Sequence, residues 1–190
     1  MSSLAESITL AYWKMKSFRQ KAEDQFALPE TLTDPRSLMV TMPFDSREFE
    51  MANEALAQLE KHYPRTKITV CLNETFRTWI PRPLIPRSLI VNPGDFTVFS
   101  WPKSSLSRKV QLLKTDIALD LNPDFHLGYA ILCVQSGARV RITLDKPYSY
   151  YFFNFVIRSE ETHKLRHRYD ALVKYLIPHG SPINETTEMV

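Results

Sequence analysis

An α/β domain built on a Rossmann-like parallel sheet with flanking helices is the fold class this sequence predicts. Three observations predict it. Short apolar runs alternate with segments of helical periodicity, the pattern of layered α/β domains. Two β-α-β units can be traced, over 37–72 and 116–144, and such units make parallel strands with a right-handed crossover. The run Ile117-Ala118-Leu119 in the second is wholly apolar, as a central strand covered on both faces should be. The 190 residues, 44% hydrophobic and 24% charged, suit one domain able to bury a core.

Each element has its own signal. Ser3 to about Phe26 reads as a helix, because Leu4, Ile8, Ala11, Tyr12, Met15, Phe18 and Ala22 recur at spacings of three and four. Lys14, Lys16, Arg19 and Lys21 fall largely off that stripe. Pro29 and Pro35 mark a linker. Residues 1–35 are therefore read as an amphipathic helix and linker, 36–178 as the α/β domain, and 179–190 as a flexible polar tail. Ser37 to Met42 is a strand, Phe49 to Tyr63 a helix closed by Pro64, and Lys67 to Leu72 a second strand. Pro81, Pro83, Pro86 and Pro93 preclude a regular helix in the next stretch, and Pro83-Leu84-Ile85-Pro86 reads as a rigid loop. Leu89–Val91 and Phe96–Ser100 read as short strands. Ser105 to Lys114 reads as a short helix capped by Ser104 or Ser105. Asp116–Leu121 is a strand, Phe125–Gln135 a helix with Pro123 where it would start, and Val140–Leu144 a strand. Gly137 is placed to take the left-handed turn between that helix and strand. A last helix runs from about Glu160 to Ile177.

Composition excludes several functions. The formal charge of +3 and pI of about 8.8, with acids interspersed, do not form the basic footprint of a nucleic-acid binder. No stretch approaches the length of an apolar membrane span, and no signal-peptide core is present, so a reducing, cytoplasmic setting is expected. Cys71 and Cys133 lie in apolar runs and read as buried thiols. There is no zinc-ligand spacing, no Walker loop, no G-x-G-x-x-G and no G-x-S-x-G elbow. With only four glycines, the chain has few places to wrap backbone around a phosphate. Neither a cofactor nor a metal is expected.

Three segments narrow the fold to a resemblance. Asp116-Ile117-Ala118-Leu119-Asp120-Leu121-Asn122, a helix, and then Ser136-Gly137-Ala138-Arg139-Val140-Arg141-Ile142 resemble the central β-α-β of heptosyltransferases that use ADP-heptose to build lipopolysaccharide. Tyr150-Tyr151-Phe152-Phe153-Asn154-Phe155 resembles the aromatic stretch that follows in that family. The first β-α-β, with Glu54-Ala55-Leu56-Ala57-Gln58-Leu59 in its helix, resembles the opening unit. The resemblance covers about 36–178. It implies the acceptor-side, N-terminal domain of a glycosyltransferase of the GT-B architecture, without the domain that holds the nucleotide sugar.

The resemblance also implies where the site lies. The family's opening loop carries a Gly-Asp pair whose Asp is the proposed general base, and Arg47-Glu48 stand at that position. Glu48 keeps a carboxylate with one more methylene, while Arg47 adds bulk where the family has glycine. Two readings of Glu48 stay open: a base, or a first-turn glutamate favoured by the helix dipole. Asp45, Ser46 and Arg47 are candidate acceptor contacts beside it. Asn122, Asp124 and His126, with Asp120 before them, follow the end of a parallel strand, where open α/β sheets place ligands. For Asn122 and Asp124 the alternative is helix capping. For the aromatic run the alternatives are core packing and a sugar platform at Tyr148 and Tyr150. The N-terminal helix has three open readings: packing on the domain, contact with a membrane surface through residues 1–26, and self-association.

The expected function is a heptosyltransferase-like, glycan-acceptor-binding or accessory domain in bacterial cell-envelope glycan assembly, inactive alone. The alternative is half of a split glycosyltransferase, with Glu48 as base and a separate donor-domain protein as partner. The expected partner is a glycan such as a lipopolysaccharide-core acceptor, and the expected place is the cytoplasm or the inner membrane's surface.

Overall fold

The β1 run pairs on both sides, and the sheet grows outward from it. In the computed structural model, which describes residues 4–20, 32, 34–158 and 164–177, six parallel strands form one sheet. They are β1 (Ser37–Thr41), β2 (Lys67–Leu72), β3 (Ser88–Ile90), β4 (Ile117–Asp120), β5 (Val140–Leu144) and β6 (Phe155–Ile157). Their order is β3-β2-β1-β4-β5-β6, so the chain reverses direction across the sheet between β1 and β4. Val40 at the centre lies opposite Val70 of β2 and Leu119 of β4.

Alternation along each strand feeds two cores. Leu38, Val40 and Met42 face α2 (Ser46–His62) and α5 (Leu165–Leu176), meeting Leu56, Leu59 and Leu172. Met39, Cys71 and Ala118 face the other way, onto α3 (Ser104–Gln111) and α4 (Leu127–Gln135). Both faces of β1 are thus buried, which is why its sequence shows no polar alternation. Tyr63, just past α2, donates its hydroxyl between two carbonyls, 2.8 Å from Leu32 and 2.6 Å from Leu176.

Some sequence expectations move. The helix expected from Phe49 starts at Ser46, because the Asp45 side chain caps it. Phe96–Ser100 is no strand: it forms a turn held by one antiparallel bridge from Phe96 to Pro102, with Ser100 at φ 59°. Neither Ser104 nor Ser105 caps α3; Lys103 holds the N-cap position without a side-chain bond. The helix expected from Phe125 begins at Leu127, and the edge strand β6 had no clear signal in the aromatic run. Arg82–Arg87 is a 3-10 segment, short enough to accommodate its prolines. The residues expected to open the last helix (160–163), the first helix beyond Gln20, and the tail 179–190 lie outside the described residues.

The largest revision concerns α1 (Leu4–Gln20). It packs on the domain, but through the opposite face from the predicted apolar stripe. Thr9 and Trp13 are buried, whereas Leu4, Ile8, Ala11, Tyr12 and Met15 are exposed. Trp13 sits between Trp101 and Phe152, with ring centroids 5.7 and 5.3 Å away. The Thr9 hydroxyl lies 3.1 Å from the carbonyl of Phe99. The aromatic pair Trp101 and Phe152 offers Trp13 a matched surface, and that contact sets the helix rotation.

Gly137 has φ 72°, as the helix-to-strand turn requires. No neighbour fills the space a Cβ would need there, so the constraint is backbone conformation alone. Gly137→Ala should therefore lower stability by about 1–2 kcal/mol, read as a lower urea midpoint with an unchanged m-value.

Candidate functional site

The loops that follow β1, β4 and β5 converge where the strand order reverses, the place at which open α/β sheets form ligand crevices. Beneath them lies a buried ion pair. Asp120, the last residue of β4, and Lys146, just past β5, meet at 2.7 Å with side chains 1% exposed. The other carboxylate oxygen of Asp120 accepts the Thr41 hydroxyl at 2.7 Å and the Asn122 side-chain amide at 2.6 Å. It also accepts the Asn122 backbone N–H at 3.1 Å. Lys146 donates a further bond to the Asn122 carbonyl at 2.6 Å. The end of β1 and the loops after β4 and β5 are thereby tied to one carboxylate.

This arrangement assigns roles the sequence left open. Asp120 is a buried anchor, and Asn122 turns inward onto it, fully buried, with its own Oδ1 left unpartnered. Neither Asn122 nor Asp124 caps α4; His126 occupies the N-cap position without a side-chain bond. With Asn122 held by Lys146 and Asp120, the loop bends at Pro123 and Asp124 before α4 begins at Leu127. Asp124 is exposed and His126 half-buried at the crevice.

On the β1 side, Asp45 Oδ1 accepts the backbone N–H groups of Arg47 at 2.9 Å and Glu48 at 3.2 Å. Asp45 is first of all the cap of α2. Its bonds occupy the amide groups that an incoming phosphate would need, so the helix start is no ready anion site. Ser46 and Arg47 are exposed, and Arg47 makes no ion pair with Asp45 or Glu50. Glu48 is half-buried. Its carboxyl is held above the ordinary glutamate range, chiefly by burial, then by the negative charges of Asp124 and Asp45. Arg168 and Lys146 oppose that shift. Burial depresses the His126 imidazole, with Lys146 adding to the effect and Asp120 and Asp124 opposing it. A carboxylate raised in this way is a stronger base than a solvated one, and a depressed imidazole is neutral at pH 7.

The crevice has two lobes on either side of Phe125 and Leu127. One, of about 310 Å³, is lined by Phe44, Phe96, His126 and Gly128. The other, of about 360 Å³, is lined by Asp124, Pro147 and Tyr148. Phe44 stacks on Tyr129 at 4.9 Å and meets His126 edge-on at 5.0 Å. A Cβ on Gly128 would come within 2.6 Å of the Phe96 ring, so that ring fills the space over the start of α4. Of the aromatic run, Phe152 and Phe153 are core, while Tyr148 and Tyr150 stay 50% and 42% exposed; only Tyr148 lines the crevice. Both lobes also touch Glu6 of α1.

Sequence reasoning missed several participants. Lys146 sits just past the C-terminal end of a parallel strand, the topological position that could have flagged it. Arg168 had no such signal, since it lies in α5, where its guanidinium bonds the Asp145 carbonyl at 2.8 Å. Its neighbour Tyr169 donates to the Leu121 carbonyl at 2.6 Å, and the two brace the loops from below. Among the described residues no cluster of His, Cys, Asp or Glu is placed to hold a metal ion. No helix among them is long and apolar enough to cross a membrane.

A six-stranded parallel sheet with flanking helices and its crevice at the β1–β4 reversal define a Rossmann-like domain of the kind found in GT-B glycosyltransferases. More narrowly, the fold is that of glycosyltransferase family 9 and the heptosyltransferases. The chain matches the glycosyl transferase family 9 structure from Veillonella parvula DSM 2008 with a TM-score of 0.60 and 18% identity, over 78% of this chain and 44% of that one. It matches E. coli heptosyltransferase WaaC with ADP-2-deoxy-2-fluoro heptose at a TM-score of 0.55 and 13% identity, over 78% of this chain and 50% of that one. The same enzyme with ADP matches at 0.55 and 13%, over 78% and 49%. The chain thus spans about half the length of the solved structures it matches. No family model and no curated protein sequence matches it.

Two outcomes test the site. Asp120→Ala should cost about 3–5 kcal/mol, because it strands the Lys146 charge in the interior. Adding Lys146→Met should recover much of that loss, and strictly additive losses in urea unfolding would contradict the coupling. In an NMR titration, Glu48 should ionise above the usual glutamate value, and Asp124→Asn should move its midpoint down by removing the neighbouring negative charge.

Proposed function

We propose that the domain binds a glycan acceptor of cell-envelope assembly, of the lipopolysaccharide-core type, in the crevice lined by Asp124 and His126, with Glu48 on its β1 side. The observation that carries this reading is that Asp124 and His126 line the two lobes of the crevice at the β1–β4 reversal of a heptosyltransferase-like fold, with Glu48 near enough to feel the Asp124 charge. Aromatic faces next to hydrogen-bonding groups suit a sugar ring, and Phe44 and Tyr148 supply such faces. Ser46 and Arg47 lie exposed at the rim, where they can meet outlying acceptor groups, while Asn122 acts from beneath by fixing the loop. The buried, unpaired thiols of Cys71 and Cys133 accord with a reducing cytoplasmic setting, at or near the inner membrane.

In this reading the domain binds the acceptor and transfers nothing by itself. Transfer would need a nucleotide-sugar-binding domain facing the crevice, in the same chain or in a partner. A second reading, that such a pairing is catalytic, is favoured by Glu48. Its raised carboxyl is suited to taking a proton from an acceptor hydroxyl at neutral pH.

Core-oligosaccharide fragments should perturb the amide signals of 43–49 and 120–126 at millimolar concentration, and unmoved signals there would reject acceptor binding. Should transfer be measured with a donor-domain partner, Glu48→Gln should lower turnover by about 100-fold or more. Undiminished turnover would leave the domain a binding module.

A further inference from the structure

The rotation of α1 leaves an apolar stripe turned outward and largely exposed, with Tyr12 at its edge meeting Trp101 at 5.9 Å. Leu4 is 81% exposed, Ile8 57% and Met15 67%, with Ala11 and Tyr12 beside them. At 100° per residue these positions fall on one side of the helix, and Thr9 and Trp13 on the opposite, buried side. Contiguous exposed apolar side chains of this size mark a contact surface more often than a solvated face.

The charges bordering the stripe select what it meets. Lys14 lies on one flank and Lys16 on the other, where its ammonium rests 4.6 Å from the centre of the Trp13 ring. The single acid of the helix, Glu6, lies on the inner side, at both lobes of the crevice. An apolar strip edged by cations on both sides, with its acid turned away, complements a surface that is apolar below and anionic above. A second copy of the same stripe would instead set lysines against lysines.

We propose that the outer face of α1 is a membrane-surface contact that lies in the headgroup region of an anionic bilayer. Leu4, Ile8, Ala11 and Met15 enter the apolar boundary, while Lys14 and Lys16 meet lipid phosphates. This deepens the inner-membrane placement proposed above and adds a geometry: the inner face of the same helix walls the crevice, so a docked domain would hold its acceptor site at the bilayer surface. The contact itself needs no acceptor and is tested without one.

The test is co-sedimentation of the full chain with vesicles of phosphatidylcholine alone or mixed with phosphatidylglycerol. Binding should appear on the mixed vesicles and weaken as salt rises. The triple variant Leu4→Gln, Ile8→Gln, Met15→Gln should bind about tenfold or more weakly, with an unchanged thermal melt because these side chains are exposed. Lys14→Glu with Lys16→Glu should abolish the preference for the anionic vesicles. Wild-type binding by the folded triple variant would overturn the proposal. So would absence of binding, whether analytical ultracentrifugation shows a dimer that the triple variant disperses, placing a second copy on the stripe, or a monomer. Loss of saccharide-induced shifts with vesicle binding intact would instead reject the acceptor reading and leave this contact standing.

Discussion

The Asp120–Lys146 pair is the constraint on which the crevice depends. A parallel sheet delivers its loops to one edge but does not fix them there. Here the carboxylate at the end of β4 takes hydrogen bonds from β1 and from its own loop, and a salt bridge from Lys146 in the loop after β5. Desolvating such a pair is expensive, and an apolar replacement can match its stability. What an apolar replacement cannot supply is direction. Lys146 also grips the Asn122 carbonyl, and that bond fixes the start of the β4 loop, whose Asp124 and His126 line the crevice.

The same physics explains what could be read beforehand. The strands were legible because β1, β2, β4 and β5 are apolar runs bounded by proline, charge or glycine. Gly137 was legible because a left-handed turn has few other tenants. The helix starts were less so. Asp45 drew α2 back to Ser46, while a loop anchored at Asn122 delayed α4 to Leu127. The edge strand β6 hid in an aromatic run whose neighbours Phe152 and Phe153 serve the core. At the candidate site, sequence position pointed to Asp124 and His126, which line the crevice. It could not show that Asn122 points inward, or that Arg168 and Tyr169 of a distant helix hold the loops, because those contacts exist only once α5 has docked.

The first helix shows where periodicity misleads. Its repeat of Leu4, Ile8, Ala11 and Met15 is genuine, yet that stripe faces outward. An apolar stripe says that one side of a helix prefers to leave water, not which neighbour receives it. Trp13, outside the stripe, finds its partners in Trp101 and Phe152, and the helix is turned to suit them. A helix can therefore carry two apolar contacts on opposite faces, one of them with its own domain.

Tyr63 has a further consequence. One phenolic oxygen lies within hydrogen-bonding reach of the carbonyls of Leu32 and Leu176, so the segment leading to the first strand and the end of the last helix meet at a single side chain. A fold whose entry and exit coincide behaves as a closed loop of chain. The six-stranded unit between these residues can be carried on another polypeptide as an insertion, with α1, which precedes Leu32, needing its own attachment.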